Sequence, residues 1–310
     1  MAPGHPGIQE ASDIHHMTAA PTETRQHNAP DGHEVSQVEL ERRQYRVHQQ
    51  IQSITSLIST IVFVVVIVIG LKLSPGWPRV KETFFSGEYF VKSFPHVLDG
   101  LWLNIRVLLV AVVGVAILST LIALVRTSRS PILFPLRILA LIYTTVMRGV
   151  PIIVVLYLIG FGIPGLGLFG RIDPSVLGTI AVVMGYSAYV SEVLRAGFND
   201  VHPSQRASAR SLGLTSGQTT RLIVIPQALR KVAPALMNDF ISMQKDVGLI
   251  SVLGAVDAVR AAQIDVASTY NFTPYVVASL LFILMSVPFI LLNDWYTERL
   301  RKRELSGGTV

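Results

Sequence analysis

Four charged residues stand where charge is expensive. Arg148, Glu192, Lys245 and Asp246 fall within or at the ends of long apolar stretches. An unpaired charge at the middle of a bilayer costs roughly 2.5–3.5 kcal/mol or more. Each must therefore pair or face water. Lys245 and Asp246 cannot share a helix face, because neighbours on a helix point about 100° apart. Each needs a partner elsewhere. Asn104, Tyr186, Tyr189 and Asn238 can add hydrogen bonds, either to a polar path or to pairing between helices.

A second constellation lies between apolar stretches. Pro203 suits the first turn of a helix, where its missing N–H costs nothing. Gly213 suits the position just past a helix end, where the chain takes φ > 0. Thr215 and Gln218 have capping-box spacing for the next helix. The spacing predicts one short helix over 203–212, a bend at Gly213 and a new helix after it. Gln205 lies on the first helix, with Ala207, Ser208 and Ala209, whose small side chains let another protein's backbone come close.

The elements that hold these residues are membrane helices. Half of the 310 residues are hydrophobic and only 15% are charged, well below the usual quarter. Mean hydropathy is +0.50. The stretches 49–71, 107–125, 174–191 and 271–293 carry no charge, and 132–160 carries only Arg137 and Arg148. A hydrocarbon core takes about 20 apolar residues in a helix, which gives five spans, the third over 133–158. The net charge of +6 belongs to the membrane flanks, not to nucleic acid. Basic residues favour the cytoplasmic side. Arg42, Arg43 and Arg46 precede the first span; Arg299, Arg301, Lys302 and Arg303 follow the last. Both ends are thus expected in the cytoplasm, and an even count requires a sixth span within 221–256. The expected organisation is a disordered cytoplasmic tail over 1–48, an anchor helix over 49–72, an external segment over 73–97, a transmembrane domain over 98–297 and a basic tail over 298–310. The first tail holds six of the eight histidines, at irregular spacing, and disorder is the expectation over metal binding.

Several chemistries lack their residues. There is no cysteine, so no disulfide framework and no thiolate metal site. No G-x-x-x-x-G-K-[ST] stretch occurs to cradle ATP phosphates, and neither H-E-x-x-H nor G-x-S-x-G is present. No catalytic or metal-ligating residues are assigned, and no cofactor is expected.

The loop and the flanking stretches carry a family resemblance. Ala207-Ser208-Ala209, Gly213, Ile223, Ile225 and Pro226 keep the spacing of the E-A-A, G, I-x-L-P loop of permease subunits of ATP-binding cassette (ABC) importers. The segment Tyr189-Val190-Ser191-Glu192-Val193-Leu194-Arg195-Ala196-Gly197 resembles the A-Y-x-A-E-x-x-R-x-G of the polar amino-acid and opine permeases. Arg148-Gly149-Val150-Pro151 resembles their R-G-T-P. Pro226-Gln227-Ala228, Pro234, Asn238, Lys245-Asp246 and Leu249 resemble their P-Q-A…P…N…K-D-T-S-L. Three departures stand out: Ala207 replaces the loop glutamate, Val150 a threonine, and Val247-Gly248 a Thr-Ser pair.

The resemblance implies an all-α integral membrane protein of type I, with a five-helix core to which the first span is an addition. It implies a non-catalytic subunit in a prokaryotic plasma membrane. Its loop, about 200–218, would seat on a separate ATPase through Gln205, Ala207, Ser208, Ala209 and Gly213, with Pro226 beyond. Solute would arrive from an extracytoplasmic binding protein and pass by alternating access through a pair of permeases, alike or different. Arg148, Tyr189, Glu192, Asn238, Lys245 and Asp246 would be candidates for a path suited to a zwitterionic amino acid. An ion-coupled secondary transporter is the competing reading: it explains the buried charges but not the spaced loop.

Overall fold

The structure, a computed structural model, describes residues 32–128, 130–168 and 170–305. It divides into two units, 1–74 and 75–310. Residues 1–31 of the expected tail lie outside the described residues.

The first unit is helix α1, Gly32–Leu73. Residues 32–48, expected to be disordered, are helical and continuous with the apolar segment. They are rich in Glu, Gln, Arg and Val and contain neither Pro nor an internal Gly, so nothing stops a helix running back from it. The segment His48–Leu73 is long and apolar enough to cross a membrane.

The second unit begins with α2, Trp77–Phe84, and α3, Gly87–Thr127; α2 and the first turns of α3 fall within the segment expected to be external. The backbone N–H of Phe272 bonds to the Thr83 carbonyl at 2.8 Å and Phe84 stacks on Phe272, which ties α2 to the chain before the last helix. Next come α4, Phe134–Gly149, and α5, Ile152–Gly160. The expected span over 133–158 is thus broken. Pro151 lacks an N–H and pushes the preceding residue out of helical geometry, and Val150 sits at φ −101°, ψ 130°. After the short α6, Gly162–Gly165, α7 runs Pro174–Asp200, its first N–H groups capped by Asp173.

The remaining elements are α8, Pro203–Ser211; α9, Ser216–Thr219; α10, Ile225–Asp246; α11, Ala258–Thr269; and α12, Thr273–Leu305. A 3₁₀ segment, Val247–Leu253, follows α10 and ends at Gly254, φ +91°. The chain then turns by 50° into α11. Among the described residues, five helices are long and apolar enough to span a membrane, and this bent pair would make six.

Three clusters hold the second unit together. Val107, Ala111 and Val115 of α3 meet Leu156 of α5, Ala181 and Val182 of α7, and Val247 and Ile250. Val97 and Leu101 of α3 meet Ala258 and Ala262 of α11 and Val277 of α12. Ala123, Leu194, Phe198, Val224 and Ala228 join the other ends of α3 and α7 to α10. Between lipid-facing helices, small residues allow the backbone approach that packing needs.

Gly100 is the sharpest case. A Cβ there would overlap the Asp257–Ala258 peptide, which is backbone and cannot swing away. Gly100→Val is therefore expected to destabilise by about 1–3 kcal/mol or more. A lower unfolding midpoint of the purified variant checks this. An unchanged midpoint would mean that α3 and α11 do not touch as described.

Candidate functional site

The loop is built by its caps. Pro203 opens α8, and His202 Nδ1 accepts from the Ser204 N–H at 3.2 Å. At the other end Gly213 lies at φ +85°. Its N–H bonds to the Arg210 carbonyl at 3.0 Å, and that of Leu214 reaches back to Ala209 at 3.2 Å. These are the two bonds of a Schellman ending, which needs the left-handed residue between them. The capping box follows: Gln218 N–H to Thr215 Oγ1 at 3.3 Å, Thr215 N–H to Gln218 Oε1 at 2.9 Å.

The outer face of α8 is what remains. Ala209 is buried and Arg206 donates to the Phe198 carbonyl, which fastens the helix to the end of α7. Gln205, Ala207, Ser208, Leu212 and Gly213 are exposed, Leu212 at 83%. Pro226 is exposed in the first turn of α10.

The charged residues separate into groups. Glu192 gathers three guanidinium groups from three helices. Arg126 Nη1 of α3 meets its Oε2 at 2.6 Å, Arg195 Nε of α7 the same oxygen at 2.8 Å, and Arg148 Nη1 of α4 stands 3.6 Å from Oε1. Arg126 also donates to Thr144 at 3.1 Å. Asp246 accepts from the Tyr186 hydroxyl at 2.8 Å. Tyr189 donates to the Arg148 carbonyl at 3.2 Å. Lys245 and Asn238, seven residues apart and so on one face of α10, are exposed and make no hydrogen bond or ion pair among the described residues. Among the described residues no group of His, Cys, Asp or Glu could hold a metal ion.

The structure thus joins Arg148 to Glu192 and keeps Lys245 and Asn238 apart from both. Arg126, not among the expected site residues, lies in the last turn of α3 and is a principal partner of Glu192. Asp257 was missed. It is fully buried, caps α11 through the Arg260 N–H at 2.8 Å and accepts from Asn104 Nδ2 at 3.0 Å. Asn104 also donates to the Val247 carbonyl at 3.2 Å and accepts from the Ala258 N–H at 3.0 Å, so one side chain pins the bent segment to α3. An Asp just before a helical stretch was the available signal.

Spanning helices without strands among the described residues, and a capped helix turned outward between two of them, define an integral membrane transport component with the type I ABC permease fold. Residues 118–302 match the family described as binding-protein-dependent transport system inner membrane component, and the chain belongs to it.

The arginine transport system permease protein ArtQ of Bacillus subtilis (strain 168) is 28% identical over 215 residues, 69% of this chain and 96% of the relative. The putative glutamine transport system permease protein GlnP of Rickettsia bellii (strain RML369-C) is 32% identical over 210 residues, 66% of this chain and 94% of the relative. A solved chain described as an amino acid ABC transporter with histidines superimposes with a TM-score of 0.61 at 35% identity, covering 67% of this chain and 96% of that one. Helices α1 and α2 precede the residues matched to the family.

Proposed function

We propose that this chain is the permease subunit of an ATP-driven ABC importer for polar amino acids. Hydrolysis takes place on a separate ATPase, and the exposed face of α8 seats in a groove of that partner. The observation that carries this reading is the Schellman turn at Gly213, which fixes α8 and leaves Gln205, Ala207 and Ser208 facing outward. The names of the relatives, arginine and glutamine permeases, favour polar amino acids as cargo. Family membership favours a solute-binding protein and a second permease as the other partners.

The path is lined by Tyr189, Asn238 and Lys245, whose side chains are exposed in the single chain, Tyr189 with its hydroxyl on the Arg148 carbonyl. Glu192 and Asp246, each already engaged, hold helices together. On this reading α1 is an added anchor and both ends of the chain are cytoplasmic.

Two experiments test the proposal. Retention of an ATPase from the same membranes by the tagged permease, lost on Gly213→Val, tests the coupling role. For topology, single cysteines at Ser36 and Ser306 should resist an impermeant thiol reagent in whole cells, while one at Ser86 should react; the native chain has no cysteine to interfere. Labelling at Ser306 with protection at Ser36 would require an odd number of spans.

A further inference from the structure

The Glu192 cluster holds more positive charge than its carboxylate neutralises. Three arginines face one glutamate. Both oxygens are already taken, Oε2 by Arg126 and Arg195 Nε, Oε1 by Arg195 Nη2 at 3.1 Å. Arg148 is left over. At 3.6 Å from Oε1 it is beyond hydrogen-bonding range, and its guanidinium donates to no group among the described residues. Its side chain is 45% exposed and that of Arg195 34%.

The cluster lies near one edge of the apolar layer. Gly114 lies beside Val183 and, further along both helices, Arg126 meets Glu192, so α3 and α7 run in the same direction. Arg126 is in the last turn of α3, and Glu192 precedes the end of α7 at Asp200 by about 12 Å of helix. A guanidinium that shares its carboxylate with two others calls for a further anion at that depth. Its planar fork suits phosphate or carboxylate. An amino-acid carboxylate would bring its own ammonium towards Arg126 and Arg195, with Glu192 already occupied. A phosphate brings no such penalty. Leu141, exposed on α4 seven residues before Arg148 and so on the same face, offers apolar surface for an acyl chain.

We propose that Arg148, assisted by Arg195, binds the phosphate of an anionic phospholipid in the leaflet where α3 and α7 end. The site does not depend on the import reading or on which side of the membrane that leaflet lies.

The test uses the purified full chain in neutral detergent, with its unfolding midpoint followed by tryptophan fluorescence. Phosphatidylglycerol should raise the midpoint by several degrees and phosphatidylcholine by much less. Arg148→Gln should remove the phosphatidylglycerol increment, and Arg148→Lys should keep part of it. Native mass spectrometry of the wild type should show phosphatidylglycerol retained over phosphatidylcholine, a reading that needs no variant to fold. Equal increments from the two lipids, or an increment that survives Arg148→Gln, would overturn the site. A rise with inorganic phosphate and no preference between lipids would assign the phosphate to solution and overturn the lipid source. Stabilisation by glutamine or arginine through Arg148 would make it a substrate site instead. Uptake is not measured, so failure here is separate from failure of the importer reading.

Discussion

Replacing Gly213 with valine is expected to leave the chain in the membrane, release its ATPase and stop uptake. The cause is backbone geometry. Gly213 sits at φ +85°, where a β-branched residue is strained by roughly 1–3 kcal/mol. A Cβ there meets nothing within 4 Å, so crowding is not the difficulty. Relief comes by leaving φ > 0, which breaks the bonds from Gly213 to Arg210 and from Leu214 to Ala209. Helix α8 then loses its fixed angle. Asparagine tolerates the left-handed region, so Gly213→Asn should retain most of the ATPase. Ala207→Glu points a carboxylate into open surface and restores the family residue; retention should rise or hold. Retention and uptake measured in the same membranes check all three. Normal retention by Gly213→Val would reduce the loop to a connector.

The second large effect is expected at Glu192. Glu192→Ala strands Arg126, whose side chain is 12% exposed, together with Arg195. Removing one member of a buried pair costs about 3–5 kcal/mol. Glu192 is itself 21% exposed, so the lower end, about 3 kcal/mol, applies. The amount of folded protein in the membrane should fall several-fold. Lys231→Ala breaks an exposed pair with Asp200 and should cost about 1 kcal/mol or less. Normal levels of Glu192→Ala with altered selectivity would move Glu192 from helix pairing to the substrate path.

Much of the fold was legible because its signals are local. Apolar runs reveal spans by length alone, and the turn after α8 follows from a glycine and a capping box a few residues apart. The break at Val150–Pro151 was less visible. Its proline could be read, but a hydropathy window sums across it, and α5 is as apolar as a true continuation. Asp257 and Arg126 were hidden for another reason. Their partners, Asn104 and Glu192, are 153 and 66 residues away, and no spacing rule connects residues that only the packing of α3 brings together. The same limit holds for Lys245. The sequence demanded a partner for it, and the single chain leaves it exposed with none among the described residues.

The central claim is that ATP hydrolysis on a partner drives solute through this chain. The direct measurement is uptake of labelled glutamine or arginine by proteoliposomes holding the permease with its ATPase, supplied with the binding protein. Uptake should require both ATP and the binding protein, and Gly213→Val should abolish it. Uptake that follows an imposed proton or sodium gradient with the ATPase left out would contradict the account.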